Sequence, residues 1–262
     1  MFLFLYFVIG LSASTIGAVA GLGGGVIIKP LLDLLADYDL ATIGILSAAT
    51  VLSMAAISLI NFRKNKEITI DKVTSSIVAA GSIIGGFAGK AMFNYIVISL
   101  HITTITAIIQ SAILAGLLLF IYIYLKMKHN LKTFMLKNRT IIFGVGFSLG
   151  FLSAFLGIGG GPLNVAILCL LFSMTIKEAG INSIFIIFFS QLAALLLVAF
   201  TTGYGNADLS MLYFMIPGGI IGGMIGSNAV SKLNNMQVQK IFNVSIIMII
   251  CINLYNIVNT AF

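Results

Sequence analysis

An all-α polytopic membrane protein is the fold class that this sequence predicts, and three observations predict it. The chain has 262 residues, of which 60% are hydrophobic and only 8% charged, whereas soluble domains carry about 25% charged residues. It is divided into apolar runs by short polar breaks, and most runs reach the roughly 20 residues that a helix needs to span a bilayer core. The same order of runs occurs twice along the chain. With so few charges, much of the surface must face lipid rather than water.

Taken in order, helices are expected over 2–20, 26–35, 40–62, 73–96 and 102–125, and again over 140–156, 162–172, 179–201, 209–230 and 238–258. The first run is apolar from Met1 onward and lacks a basic n-region, so it is expected to begin a membrane segment rather than form a cleaved signal. The net charge of +7 lies almost entirely in the breaks, which points to membrane orientation and not to a nucleic-acid partner. Cys169 and Cys251 lie inside apolar runs and are expected to be small buried hydrophobes. His101 and His129 stand alone at loop edges. Neither a metal-ligand cluster nor a catalytic constellation is expected, so no cofactor and no enzyme activity are anticipated.

Glycines reveal the repeat. Gly21-Leu22-Gly23-Gly24-Gly25 matches Gly157-Ile158-Gly159-Gly160-Gly161 at an offset of 136 residues, and the same offset places Ser47 on Ser183. Gly81, Gly85, Gly86 and Gly89 match Gly218, Gly222, Gly223 and Gly226 at an offset of 137. The chain is therefore expected to form a single integral membrane domain built from an N-terminal repeat, 1–130, and a C-terminal repeat, 131–262. Internal duplication is common among secondary transporters.

Basic residues choose between parallel and inverted repeats. If the first two segments of each half crossed the membrane once together, the halves would be parallel, and Lys177, Lys232 and Lys240 would lie outside. If each pair instead forms a hairpin that returns to its starting side, the halves are inverted. Arg63, Lys64, Lys66, Lys72, Lys126, Lys128, Lys132, Lys137, Arg139, Lys177, Lys232 and Lys240 then all face the cytoplasm, and Asp33, Asp37, Asp39 and Asp208 lie outside. The inverted arrangement is preferred because no basic loop residue violates the rule. It puts both termini outside a multi-pass protein of the cytoplasmic membrane.

The two glycine-rich turns carry the chemistry. Each precedes a segment of only about 11 residues, too short for a hydrocarbon core about 30 Å thick. Such a segment ends at membrane depth, where irregular backbone is tolerated only if protein buries it or a wet cavity meets it. Pro162 suits the first position of a helix. Each turn thus presents a helix N-terminus, which carries partial positive charge and binds anions, through glycines that let a ligand approach the backbone. The candidate anion-binding residues are Gly21, Gly23, Gly24, Gly25, Gly157, Gly159, Gly160, Gly161 and Pro162. Close helix packing by small residues is the competing explanation for glycines in membranes, and it is the preferred one for the Gly81 and Gly218 series.

Polar side chains within apolar runs are further candidates, because burying them is expensive without a partner or a wet cavity. Ser47, Asn182, Ser183 and Gln191 are proposed as substrate contacts, with helix–helix hydrogen bonding as the alternative. Lys29 is expected either to add positive charge near the turns or to snorkel to the outer interface, and Lys90 to snorkel.

With these residues in view, the chain resembles the TauE/SafE sulfite-exporter family of membrane transporters. The resemblance is carried by the paired Gly-x-Gly-Gly-Gly turns, by Ala179-Gly180-Ile181-Asn182-Ser183, and by Phe62-Arg63-Lys64-Asn65-Lys66. It covers essentially the whole chain; Lys29 before Pro30 and Leu46 before Ser47 depart from the family pattern. The resemblance implies transport of sulfite, sulfonates or related sulfur-containing anions. The expected function is a secondary transporter moving such an anion by alternating access, with a passive anion channel as the alternative. Its expected partners are a small anionic substrate, the lipid bilayer and a second copy in a homodimer. The inverted topology has a direct check: a cysteine replacing Asn235 should react with impermeant thiol reagents only from the cytoplasmic side, and one replacing Asn206 only from outside.

Overall fold

The structure, a computed structural model, describes residues 2–35, 38–64, 70–95, 103–127, 133–156, 159–201, 203–205 and 207–261. Gly157, Asp37, Lys66, His101, Lys128, His129, Lys132 and Asn206 lie outside the described residues. Among the described residues there are ten helices and no strand: α1 (Phe2–Ala20), α2 (Gly25–Leu35), α3 (Leu40–Lys64), α4 (Lys72–Asn94), α5 (Thr103–Met127), α6 (Arg139–Leu156), α7 (Gly161–Leu171), α8 (Ile176–Phe200), α9 (Leu212–Lys232) and α10 (Asn235–Ala261). Each apolar run becomes one helix, with no boundary moved by more than three residues.

The shifts have local causes. The Thr175 hydroxyl accepts from the Glu178 N–H at 3.3 Å, and the Glu178 carboxylate accepts from the Thr175 N–H at 2.8 Å. This capping box satisfies two otherwise orphaned donors and starts α8 at Ile176, ahead of the apolar run. At α4, Asp71 accepts from the Thr74 N–H at 3.1 Å and does the same work.

Seven helices, α3, α4, α5, α6, α8, α9 and α10, are long and apolar enough to cross a membrane. Helices α2 and α7 have 11 residues each. At 1.5 Å rise per residue they reach about 16 Å, roughly half a bilayer core. Large apolar side chains cover the outside: Phe4, Phe120, Phe200 and Tyr213 are each more than two-thirds exposed, as a lipid-facing surface requires. Cys169 is buried as expected, but Cys251 is exposed on α10, where its apolar thiol suits lipid as well as a core.

Glycine brings the helices together in the same way twice. Gly81, Gly85 and Gly89 of α4 lie against the backbone carbonyls of Phe143, Phe147 and Phe151 of α6. Gly218, Gly222 and Gly226 of α9 lie against those of Phe7, Leu11 and Thr15 of α1. The second set of partners equals the first less 136, so the halves exchange roles between the two contacts. The packing reading of these glycines holds: at Gly85 even a Cβ would collide with the Phe147 carbonyl.

These contacts also fix direction. Numbers rise together along α1 and α9 and along α4 and α6, so each pair runs parallel. Helix α3 joins α9 in the same sense, with Thr50 near Gly219, Met54 near Gly223, and Asn61 bonded to Ser227. Since α1 and α3 both run with α9, the chain must double back between Ala20 and Leu40, and α2 is that return. At the start of α8, Asn182 bonds Asp71 and Ser75 at the start of α4, so α6 and α8 likewise share a direction and α7 is the second return.

Replacing Gly85 or Gly222 by alanine should therefore cost about 1–3 kcal/mol, the usual range for overpacking. Gly116, where a Cβ meets nothing within 4 Å, should tolerate alanine or gain about 0.5–1 kcal/mol, the helix-propensity difference. Thermal melting of the three variants in one detergent tests the contrast.

Candidate functional site

The two turns adopt backbone that only glycine enters cheaply. Gly21, Gly23 and Gly24 have φ of +70°, +75° and +46°, and Gly159 and Gly160 have +69° and +79°. Other residues pay about 1–2 kcal/mol there. The Gly24 carbonyl accepts from the N–H groups of Ile27 and Ile28, both at 2.9 Å, and the Gly160 carbonyl from Asn164 at 2.9 Å. Helices α2 and α7 thus start directly from the turns, with Pro162 at the head of α7.

The turns meet. Gly161 packs on the backbone of Leu22, and Gly21 on that of Gly180. The Ser183 hydroxyl donates to the Gly21 carbonyl at 2.8 Å and lies 3.4 Å from the Gly161 carbonyl. One buried side chain of α8 therefore ties both turns together.

Beside them lies a cavity of about 320 Å³, at the small end of the range for ligand sites. Its walls are the first half of α3, the last half of α8, and the later turns of α4 and α6. Gly25 and Gly159 bring both turns to it, with Ser47, Ser153, Gln191 and Lys90 as polar lining. The Gln191 amide rests against the second turn: a Cβ on Gly159 would come within 2.8 Å of its Nε2.

Of the residues singled out from sequence, Gly25, Ser47, Gly159 and Gln191 reach this cavity. The others are not among its lining. A Cβ on Gly24 would point at Ala13 and Ser14, and one on Gly160 at Ser153 and Asn164. Gly21, Gly23 and Gly161 pack against Gly180, Ile187 and Leu22, and Pro162 is buried at the start of α7. The Asn182 Oδ1 accepts from the Asp71 N–H at 2.9 Å and the Ser75 hydroxyl at 2.8 Å, while its Nδ2 donates to the Glu178 carbonyl. Asn182 is thus a helix-to-helix tie.

Lys29 does not snorkel. It is 9% exposed, and its ammonium donates to the Gln110 Oε1 at 3.1 Å and the Leu156 carbonyl at 3.0 Å. It thereby caps the C-terminus of α6, where carbonyls lack intrahelical partners and the helix end is negative. Gln110 reinforces this cap by donating to the Phe155 carbonyl.

Sequence reasoning assigned Lys90 to snorkelling and passed over Ser153. A lysine within an apolar run was the available signal for the first. For the second it was the repeat, which sets a polar Ser153 against Gly17.

The family model for the sulfite exporter TauE/SafE matches residues 6–254. The chain belongs to that family. A relative, the probable membrane transporter protein YunE of Bacillus subtilis (strain 168), is 26% identical over 278 residues, spanning 95% of this chain and 96% of the relative. No solved structure matches. This TauE/SafE family member is a multi-pass membrane transporter and not an enzyme.

The paired serines now part company. Ser183→Ala leaves the buried Gly21 carbonyl without its donor and should cost about 1–3 kcal/mol of stability. Ser47→Ala should melt like the parent and weaken ligand binding about 2–10-fold, the worth of one neutral hydrogen bond. Melting and ligand affinity measured on the same detergent preparations separate the two roles.

Proposed function

We propose that this protein is a secondary transporter of the cytoplasmic membrane that moves a small sulfur-containing anion, of the sulfite or sulfonate kind, by alternating access between two inverted repeats, 1–130 and 131–262. The observation that carries the reading is the cavity that reaches both glycine turns and is walled by only one end of the bundle. The head of α2, at Gly25, and the Gly159 turn that precedes α7 meet there, and the partial positive charge of helix N-termini favours an anion. Glycine at the contact lets a compact oxyanion approach backbone N–H groups.

Helix directions support inversion. Helices α1 and α3 leave from one end of the bundle, α6 and α8 from the other. Together with the positive-inside rule, these directions support a cytoplasmic position for the 63–72, 126–139, 173–178 and 231–237 loops. The cavity then opens outward, since its lining comes from the first half of α3 and the last half of α8.

Equivalent helix interfaces differ in the way that alternating access requires. On the cytoplasmic side α3 is shut against α9: the Ser58 hydroxyl donates to the Gly223 carbonyl at 3.3 Å, and the Asn61 amide to the Ser227 hydroxyl at 2.9 Å. On the outer side the repeat-equivalent positions, Ala194 with Gly86 and Leu197 with Lys90, line the cavity. A cavity confined to one half counts against a passive channel.

The deciding experiment is uptake into proteoliposomes preloaded with the same anion, unlabelled. Concentration of labelled sulfite, sulfate, thiosulfate or ethanesulfonate against its gradient is expected for one or more of them. Dissipation alone would favour a channel, and indifference to all four would remove the anion. Asn61→Ala should shift the protein toward the inward-open form about 2–10-fold, the worth of the lost bond. The readout is the rate at which a cysteine replacing Ala55, the buried counterpart of Gln191, is labelled from the cytoplasmic side.

A further inference from the structure

We infer that Lys90 sets the preference for anions and makes closure of the outer cavity depend on a bound anion. The inference rests on the transport reading above and adds to it a residue and a rule.

Lys90 lines the cavity one turn after Gly86, which lines it too. Its ammonium lies over the Phe93 ring, 4.9 Å from the centroid, a contact that holds a cation without cancelling its charge. Across the cavity stand Leu197 and Val198 of α8, which offer no side-chain acceptor. Asp39 also lines the cavity, but its carboxylate accepts from the N–H groups of Ala41 at 3.2 Å and Thr42 at 3.4 Å. That negative charge is turned toward the start of its own helix.

The shut α3–α9 interface shows what closing α8 on α4 would do. Ser227 stands there at the position equivalent to Lys90, Gly223 to Gly86, Asn61 to Leu197 and Ser58 to Ala194. In the shut pair Asn61 donates to Ser227. The same approach on the outer side would press Leu197 onto the Lys90 ammonium. Burying an unpaired ammonium against leucine is strongly unfavourable. An anion held between the turns and Lys90 cancels that charge, so the loaded cavity closes and the empty one resists closing. A neutral analogue cancels nothing, and a cation adds like charge. Lysine suits the task because its ammonium is a compact charge on a flexible stem, with three donors for an oxyanion that must be released again.

The rule predicts exchange rather than net movement. Proteoliposomes holding the full chain would be loaded with labelled sulfite, sulfate, thiosulfate or ethanesulfonate, whichever the parent moves, and efflux measured with and without that anion outside. The parent is expected to exchange at least ten times faster than it leaks. Lys90→Gln should raise KM at least tenfold and bring the exchange-to-efflux ratio close to one, and Lys90→Arg should return KM to within about threefold of the parent. Leu197→Asn, which supplies an acceptor to the closing lysine, should raise net efflux severalfold and lower the ratio with Lys90 untouched. This second variant decides the matter if Lys90→Gln does not fold. Unchanged KM and ratio in Lys90→Gln, or an unchanged ratio in Leu197→Asn, would overturn the role of Lys90 while leaving the anion reading intact. If the parent moves none of the four anions, both fall together.

Discussion

Backbone-to-backbone contact through glycine is the interaction on which the rest of this structure depends. Apolar burial gives little drive for helices to associate in lipid, because lipid tails are as apolar as leucine. Close approach supplies it instead, and the glycines of α4 on α6 and of α9 on α1 permit that approach. Both contacts join one half of the chain to the other and both are parallel. Parallel pairing forces the reversals at α2 and α7, because α3 and α8 must set out from the same ends as α1 and α6. The reversals in turn hold the two glycine turns inside the protein. The depth of the turns is thus a consequence of packing elsewhere.

Buried turns create a second demand. Non-helical backbone inside a membrane protein must find partners for its polar groups. The Gly24 and Gly160 carbonyls are taken up by the helices that follow them, and the Gly21 carbonyl by Ser183. Lys29 answers the same demand at the end of α6, where it meets the Leu156 carbonyl. A buried lysine is costly, but here hydrogen bonds and the negative end of a helix meet its charge. Its cation also joins α2 to α5 and α6, which ties the first hairpin to the second half.

Helix boundaries, both returns and the role of the Gly81 and Gly218 series were legible because they follow from local rules. Length, glycine spacing and the absence of water in lipid act within a few residues of one another. Polar side chains were less legible. Ser47 and Ser183 are equivalent in sequence, yet one faces the cavity and the other bonds across two turns. Asn182 looked as much like a ligand contact as Gln191, but its oxygen closes onto the start of α4. Such outcomes depend on which distant backbone atom lies within 3 Å, and no periodicity reports that. Lys90 was assigned to the interface for the related reason that snorkelling explains most lysines near helix ends. Only the cavity separates it from them.

What the repeats share and what they do not share divides along physical lines. Among the shared residues are the glycines that set the backbone path and the helix contacts. Several of the differing residues are polar: Gln191 against Ala55, Lys29 against Val165, Lys90 against Ser227, and Ser153 against Gly17. Matching glycines allow each half to adopt the backbone of the other with little difference in packing energy. Were the polar residues matched as well, both faces would offer the substrate the same environment. Unequal polar residues on matched backbones bias the two faces against each other, and a bound ligand can shift an equilibrium only by as much as it distinguishes the two states. If the halves exchange conformations, the energy that a substrate contributes to that exchange must come from this small set of unmatched side chains, since the glycine framework is common to both states.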